Sequence, residues 1–162
     1  MSGAKGIPTW RKPLDALVGS KIGAAIFSRL SPVLDRPLMR LSRGRVAMTF
    51  GMPTLLLTTI GRKSGKRRST PLLYIKHEDD LVVIGTRFGN PSHPAWYLNL
   101  KANPAGEVTL GGQQFPVTMR EAREDERPLL WDKATQMYGG FERYAKRVGD
   151  RKIPVLVLSR SI

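Results

Sequence analysis

From Pro53 onward the chain is cut into short runs rich in Leu, Val, Ile and Thr, separated by Gly, Asn, Asp and Pro. That texture marks consecutive β-strands. The runs place strands at Thr54–Ile60, Arg68–Lys76, Leu81–Thr86, Glu107–Leu110, Gln114–Ala122 and Ile153–Ser159. What constrains the fold most is the shortness of three connections, Gly61–Arg67, His77–Asp80 and Gly111–Gln113. A parallel crossover needs about a dozen residues, so these joins admit only antiparallel hairpins. An antiparallel meander or barrel follows.

Helical stretches interrupt the strands at Pro94–Ala102, with proline at a favoured first-turn position, and at about Asp125–Tyr138, stopped by Gly139 and Gly140. In the second, Leu130, Ala134 and Met137 or Tyr138 form the expected buried stripe. A short aromatic-bearing segment, Phe141–Val148, precedes the last strand. Nearer the start, Leu14, Leu17, Val18, Ile22, Ala25, Ile26 and Leu30 recur at helical spacing over Pro13–Leu30, although Lys21 and Arg29 interrupt the stripe. The basic stretch Arg36–Arg45 reads as an exposed connector. With 162 residues and no internal repeat, the chain reads as mainly β (α+β). It comprises one domain over 51–162 and an N-terminal basic helical extension over 1–50.

Charge is the second constraint. The chain holds 27 Lys and Arg against 13 Asp and Glu, a net +14. Met1–Thr70 carries 14 of the cations and 2 of the acids, so the excess is local. Such asymmetry points to a phosphate, a polyanionic small molecule, a nucleic acid or an anionic lipid surface served by the first half.

Three segments offer chemistry. The first, Gly61-Arg62-Lys63-Ser64-Gly65-Lys66-Arg67-Arg68-Ser69, crowds cations and hydroxyls around two glycines between strands. It is not a Walker loop, because Arg67 stands where Ser or Thr belongs and no helix follows. An exposed basic turn is the plain alternative. An anion site is favoured, because amides, hydroxyls and guanidinium forks converge there. The second segment, Ile84 to Leu100, leaves a strand, crosses a glycine-bearing loop and enters a helix; Trp96 and Tyr97 could wall a flat ring and Asn99 supply amide hydrogen bonds. Each aromatic taken singly reads as core. In the third, Tyr138, Phe141 and Tyr144 recur every three residues and bring phenols able to donate a proton, with core packing again the simpler reading.

Several chemistries are disfavoured. The chain has no cysteine, so disulfides, thiolate nucleophiles and thiolate metal sites are excluded. The two imidazoles, His77 and His93, lack metal-ligand spacing. Neither G-x-S-x-G nor G-x-G-x-x-G occurs. Redox work would need a borrowed cofactor. No apolar run reaches the about 18 residues a membrane span needs, and the start lacks a secretory pattern, so a cytoplasmic location is expected.

Three motifs in order, Leu57-Thr58-Thr59-Ile60-Gly61-Arg62-Lys63-Ser64-Gly65, then Pro71-Leu72-Leu73-Tyr74, then Trp96-Tyr97-Leu98-Asn99-Leu100-Lys101-Ala102-Asn103-Pro104, resemble the deazaflavin-dependent nitroreductase family. Its members use reduced coenzyme F-420 and occur mainly in actinobacteria. The match covers about Thr54 to Val157. The resemblance implies a split β-barrel of the flavin-binding type and a flat deazaflavin bearing a phosphate and an oligoglutamate tail. It places cofactor contacts on Arg62, Lys63, Ser64, Arg68, Ser69, Thr70, Pro71, Leu72, Leu73, Ile84, Gly85, Thr86, Arg87, Ala95, Trp96, Tyr97, Leu98 and Asn99. Within that set, Arg62, Lys63 and Arg68 would meet the tail and phosphate, Gly85 and Thr86 the ring edge, and Trp96 the pocket wall. Catalytic roles would fall on Tyr138, Tyr144 and Thr86, with Phe141 beside the two tyrosines in the substrate pocket. Two positions depart from the family pattern: Phe141 replaces a tyrosine of the best-known nitroimidazole-reducing type, and Thr86 replaces a serine. Because Phe141 cannot donate a proton, reduction of quinones or enones is expected ahead of activation of nitroimidazole compounds, with nitroaromatics a further candidate class of acceptor. The competing readings are an FMN-binding split-barrel flavoprotein and a basic module for nucleic acid or anionic membrane. No nucleic-acid partner is expected, whereas peripheral membrane contact through the N-terminal region is, since quinones partition into lipid.

Overall fold

The computed structural model describes residues 52–161; the expected helix over 13–30, the basic connector over 36–45 and the rest of the extension lie outside them. Six strands, β1 (Thr54–Ile60), β2 (Arg67–His77), β3 (Asp80–Ile84), β4 (Ala105–Leu110), β5 (Gln113–Glu121) and β6 (Val155–Arg160), close into one barrel in the order β1-β2-β3-β6-β5-β4. All six pairings are antiparallel. The three short connections form the hairpins expected of them. Closure comes from β1 against β4, with Leu57 opposite Val108, and from β3 against β6, with Val82 opposite Val157.

Period-2 alternation sorts the strand side chains into two cores. Leu81 and Val83 of β3 and Leu156 and Leu158 of β6 join Leu55, Leu57, Val108, Val117 and Met119 in a cluster fed by strands all round the barrel. Its mouth is filled by Trp96, Tyr97 and Leu100 of helix α1 (Ala95–Ala102). The opposite faces of β3 and β6, Val82, Ile84, Val155 and Val157, pack with Ile75 under helices α2 (Arg127–Met137) and α3 (Gly140–Ala145). Both faces of β3 and β6 are therefore dry. That is why these strands read as unbroken apolar runs rather than alternating ones.

The boundaries differ from expectation where proline or backbone conformation intervenes. Strand β3 ends at Ile84 rather than Thr86, because Arg87 and Phe88 turn into the left-handed region at φ 49° and 55°. Strand β6 begins at Val155 rather than Ile153, after Pro154, which has no amide hydrogen to donate. Pro71 sits inside β2 opposite Leu56; β3 takes over as partner only from Tyr74 onward, so among the described residues no strand pairs with the other edge where proline interrupts it.

Glu126 fixes the corner between β5 and α2. Its carboxylate accepts from Arg120, whose Nη2 lies 3.3 Å from Oε2, and from the Arg123 amide at 2.8 Å. The Arg120 hydrogen bond above all holds its pKa down to about 2, against 4.5 unperturbed. A depressed carboxyl stabilises the fold above its unfolded pKa, and this contribution is lost as pH falls from about 4.5 towards 2. Glu126→Gln is expected to lower unfolding free energy by about 1–2 kcal/mol at pH 7. Urea titrations should show most of the wild-type advantage lost by pH 2.

Candidate active site

The β1–β2 bend is built by its own backbone. The Gly61 amide donates to Lys66 O at 2.8 Å, and the Ser64 and Gly65 amides both donate to Gly61 O, at 3.1 and 2.8 Å. Gly65 lies at φ 64°, the left-handed conformation that favours glycine, and a Cβ on Gly61 would stand 2.6 Å from Ser64 Oγ, so a side chain there would push the serine out of the bend. Wrapped this tightly, the bend turns its charges outward. Arg62, Lys63, Lys66 and Arg68 are exposed and, among the described residues, pair with no carboxylate, whereas Arg67 is tied to Glu107 at 2.5 Å.

Asn99 joins this bend to α1. The Arg62 amide donates to Asn99 Oδ1 at 3.1 Å, and Asn99 Nδ2 donates to Thr59 Oγ1 at 3.0 Å. The Asn99 amide, expected to serve a ligand, instead holds the chain to itself. Ser69 behaves likewise: its hydroxyl lies 2.9 Å from Thr58 Oγ1 across the hairpin. Ser64 is folded back into the bend, its Oγ 3.4 Å from the Lys66 amide. Thr70, Pro71, Leu72 and Leu73 are half-buried, Leu72 against the barrel interior and Leu73 against the helical layer.

The loop from Gly85 to Pro94 leads into α1. Arg87 and Phe88 hold positive φ, a conformation costing about 1–3 kcal/mol per residue that persists only where neighbours enforce it. Arg87 closes the loop on itself through Ser92 Oγ and His93 O. A second arginine, Arg151, enters from the segment before β6. It donates to three loop carbonyls, Gly85 O at 3.0 Å, Thr86 O at 2.7 Å and Asn90 O at 2.9 Å. Gly85 also donates its amide to Pro154 O at 2.8 Å, and a Cβ there would stand 2.5 Å from Pro154 Cγ. Both backbone groups of Gly85 are thus engaged within the protein, which leaves the ring-edge role to Thr86. That side chain is buried, and among the described residues no hydrogen bond engages its hydroxyl.

Helix α1 carries Ala95 exposed at its first turn, Leu98 half-buried, and Trp96 and Tyr97 buried in the barrel interior. The Tyr97 hydroxyl donates to Glu121 Oε1 at 2.6 Å; burial, then that bond, pushes its pKa up to about 12. Tyr97 is therefore a strut between α1 and β5. His93 stacks tilted on the Tyr97 ring at 4.9 Å, and its pKa is lowered by burial and by Arg151.

Tyr138, Phe141 and Tyr144 do converge, though not on one helix face. Tyr138 caps α2 in extended conformation at φ −147°, and the chain turns through Gly139 and Gly140 before α3 carries the other two. The rings of Tyr138 and Phe141 meet edge-on at 5.3 Å, and the Tyr138 and Tyr144 hydroxyls lie 3.1 Å apart. Burial drives the Tyr144 pKa far upward, so that phenol holds its proton firmly. All three are buried in the helical-layer core. This group meets the loop directly, with Phe88 5.8 Å from Tyr144. The three segments thus form a continuous band: cationic bend, Asn99, α1, Thr86 loop, tyrosine pair.

Sequence reasoning missed Arg151 and Glu121. Nothing local distinguishes either, since both lie in charged, turn-flanked stretches remote from the segments they tie down.

Comparison with known proteins agrees with this architecture. The sequence model of the "F420H(2)-dependent quinone reductase" family matches residues 35–160, beginning inside the stretch read as an extension. An F420H(2)-dependent quinone reductase of Mycobacterium tuberculosis is 35% identical over 111 residues, which cover 67% of this chain and 74% of that protein. Among solved structures, the F420-H2 dependent reductase FDR-A superposes with a TM-score of 0.60 at 37% identity, covering 66% of this chain and 94% of its own. A chain solved as a domain-swapped dimer superposes at 0.62 with 32% identity, covering 76% and 95%. With family-wide similarity across most of the chain and the same barrel beneath it, this protein belongs to the F420H(2)-dependent quinone reductase family.

Proposed function

We propose that this chain reduces quinones to quinols with reduced coenzyme F-420, binding the coenzyme along the band from the β1–β2 bend to Thr86. The observation that carries the reading is the set of exposed cations on that bend, Arg62, Lys63, Lys66 and Arg68, left without carboxylate partners among the described residues. The coenzyme's phosphate and oligoglutamate tail are the anions such a set fits. FMN, with one phosphate, needs fewer. The Thr86 side chain is largely buried, yet its hydroxyl makes no protein hydrogen bond among the described residues and is not sealed off from the surface, which fits the polar edge of a flat ring.

When bound, the reduced deazaflavin supplies a hydride, and the quinone also takes up a proton. The protein's part is orientation and electrostatics. Arg62, Lys63 and Arg68 hold the anionic tail, Thr86 sets the ring edge, and α1 with Trp96 in the barrel mouth backs the ring position. The Tyr138–Tyr144 hydroxyl pair is the candidate proton donor. Burial binds the Tyr144 proton tightly, and its hydroxyl lies 3.1 Å from that of Tyr138. Phe141 beside them adds a wall without a proton, which favours quinones and enones over acceptors that need a third phenol.

Titrating the purified protein with coenzyme F-420 and with FMN tests the cofactor. Anaerobic turnover of the reduced coenzyme against menaquinone analogues, cyclic enones and nitroaromatics tests the acceptor. Quinone turnover is expected to lead; FMN binding without deazaflavin binding would reject the reading. The basic extension adds a peripheral contact with anionic bilayers, where quinones reside. Deleting residues 1–45 is expected to abolish co-sedimentation with phosphatidylglycerol vesicles and to leave turnover of a water-soluble quinone within about twofold.

A further inference from the structure

We infer that Arg151 is a positioning residue that locks the Gly85–His93 loop into the shape that receives the coenzyme's ring, an assignment that rests on the reductase reading above. Three carbonyls, from Gly85, Thr86 and Asn90, converge on its two terminal nitrogens at 2.7–3.0 Å, and His93 Nδ1 lies 3.4 Å from Nη1. These groups span the loop from its departure at β3 to its return towards α1. Between them lie Arg87 and Phe88 in the left-handed region, where side-chain-bearing residues stay only if held. Gly89 follows at φ 81°, with the space for a Cβ taken by Arg147 Cβ at 2.9 Å. The loop is therefore strained inside and clamped from behind by one side chain.

The clamp is specific to a guanidinium. A planar fork can address carbonyls along several fixed directions at once, which a single ammonium cannot. The arrangement also has a cost that an ordinary surface arginine avoids. Among the described residues Arg151 has no carboxylate partner, and its Nε is buried without a hydrogen bond. A half-buried cation answered by carbonyl dipoles and one imidazole rather than by a carboxylate is held in place by those dipoles, two of which belong to Gly85 and Thr86 themselves. His93 takes part as a neutral acceptor, which fits its lowered basicity beside Arg151. Loss of the fork removes the Arg151 bonds to Gly85 O, Thr86 O and Asn90 O together, leaving the Gly89 amide as the remaining partner of Thr86 O, and the loop relaxes towards the negative φ its residues prefer. Thr86 then no longer faces the ring at one fixed place, and affinity falls by the fraction of time the loop is misplaced.

Arg151→Gln and Arg151→Lys test this in two ways. Amide hydrogen exchange without coenzyme reads the lock itself. The Gly89 and Asn90 amides, which close the turn onto Thr86 O and Arg87 O, are expected to exchange at least about tenfold faster in Arg151→Gln while β1 amides are unchanged. Fluorescence titration with oxidised coenzyme F-420 is expected to show Kd raised at least about tenfold in Arg151→Gln and by a smaller factor in Arg151→Lys. The KM for a water-soluble quinone should stay within about twofold, and added guanidinium should recover binding in Arg151→Ala. A merely structural arginine would lower the unfolding midpoint and move every parameter together, and that pattern would overturn the assignment. Unchanged exchange and unchanged Kd in both variants would overturn it too. Wild-type protein that fails to bind the coenzyme refutes the reductase reading, whereas equal binding by wild type and Arg151→Gln refutes only the positioning role.

Discussion

Reversing the charge at Arg62 and Lys63 together, by substitution with glutamate, is expected to raise the Kd for reduced coenzyme F-420 at least about 100-fold. Each side chain is exposed and free of ion pairs among the described residues, so neither contributes a contact the fold needs. The thermal midpoint should therefore move by no more than about 3 °C. Towards a polyanion the change is large. Two charge-assisted hydrogen bonds, together about 3–5 kcal/mol, are replaced by repulsion from two carboxylates. Because the bend is solvated, the wild-type affinity should itself weaken as salt rises, and this salt dependence should be flatter in the double variant. Isothermal titration at 50 and 300 mM salt measures both effects. Unchanged affinity at low salt would remove the bend from the coenzyme site.

The second large effect is expected at Asn99, where stability and binding are joined. Asn99→Leu keeps the volume and removes both hydrogen bonds. The Thr59 hydroxyl, which lies buried, and the Arg62 amide then lose their partner. Leaving the buried Thr59 hydroxyl unanswered costs about 1–3 kcal/mol, while the Arg62 amide sits on an exposed residue that water can reach, so unfolding free energy should fall by about 1–3 kcal/mol. The same change releases the Arg62 backbone from α1. Coenzyme affinity should drop about tenfold in protein that is still folded, with quinone KM little altered. Asn99→Asp separates the two roles. It keeps an acceptor for the Arg62 amide and can accept from the Thr59 hydroxyl, but sets a negative charge behind the anion-binding bend, so it should retain more stability than binding.

These residues also mark how far the sequence could be read. Hairpin pairing was legible because turn length is a local property, and Gly61, Gly65 and the Gly111–Gly112 pair sit where chain reversal requires them. Closure of β1 on β4 and of β3 on β6 was not legible. Those pairings join residues far apart in the chain, and no short motif encodes them. The cationic bend stood out by composition, and the family resemblance supplied the ligand that composition alone left open. For Trp96 and Tyr97 the sequence allows a ring wall but favours core packing for each singly, and both are buried, with Tyr97 bonded to Glu121. The three-residue spacing of Tyr138, Phe141 and Tyr144 brought them together for a reason periodicity misses. The chain leaves the helix at Tyr138, and Gly140, whose Cβ would fall 2.1 Å from Tyr138 Cζ, lets the ring lie across the turn. Arg151 was invisible because its partners are carbonyls, which carry no side-chain signature at all.

The central claim is that the β1–β2 bend grips the anionic end of a hydride carrier whose flat head lies at Thr86, beside the mouth-filling helix α1. A crystal structure of the protein with coenzyme F-420 bound measures this directly. The account predicts phosphate and glutamate oxygens within hydrogen-bond distance of Arg62, Lys63 or Arg68 and the ring edge at the Thr86 hydroxyl. A coenzyme bound elsewhere on the barrel, with the bend facing only solvent, would contradict it.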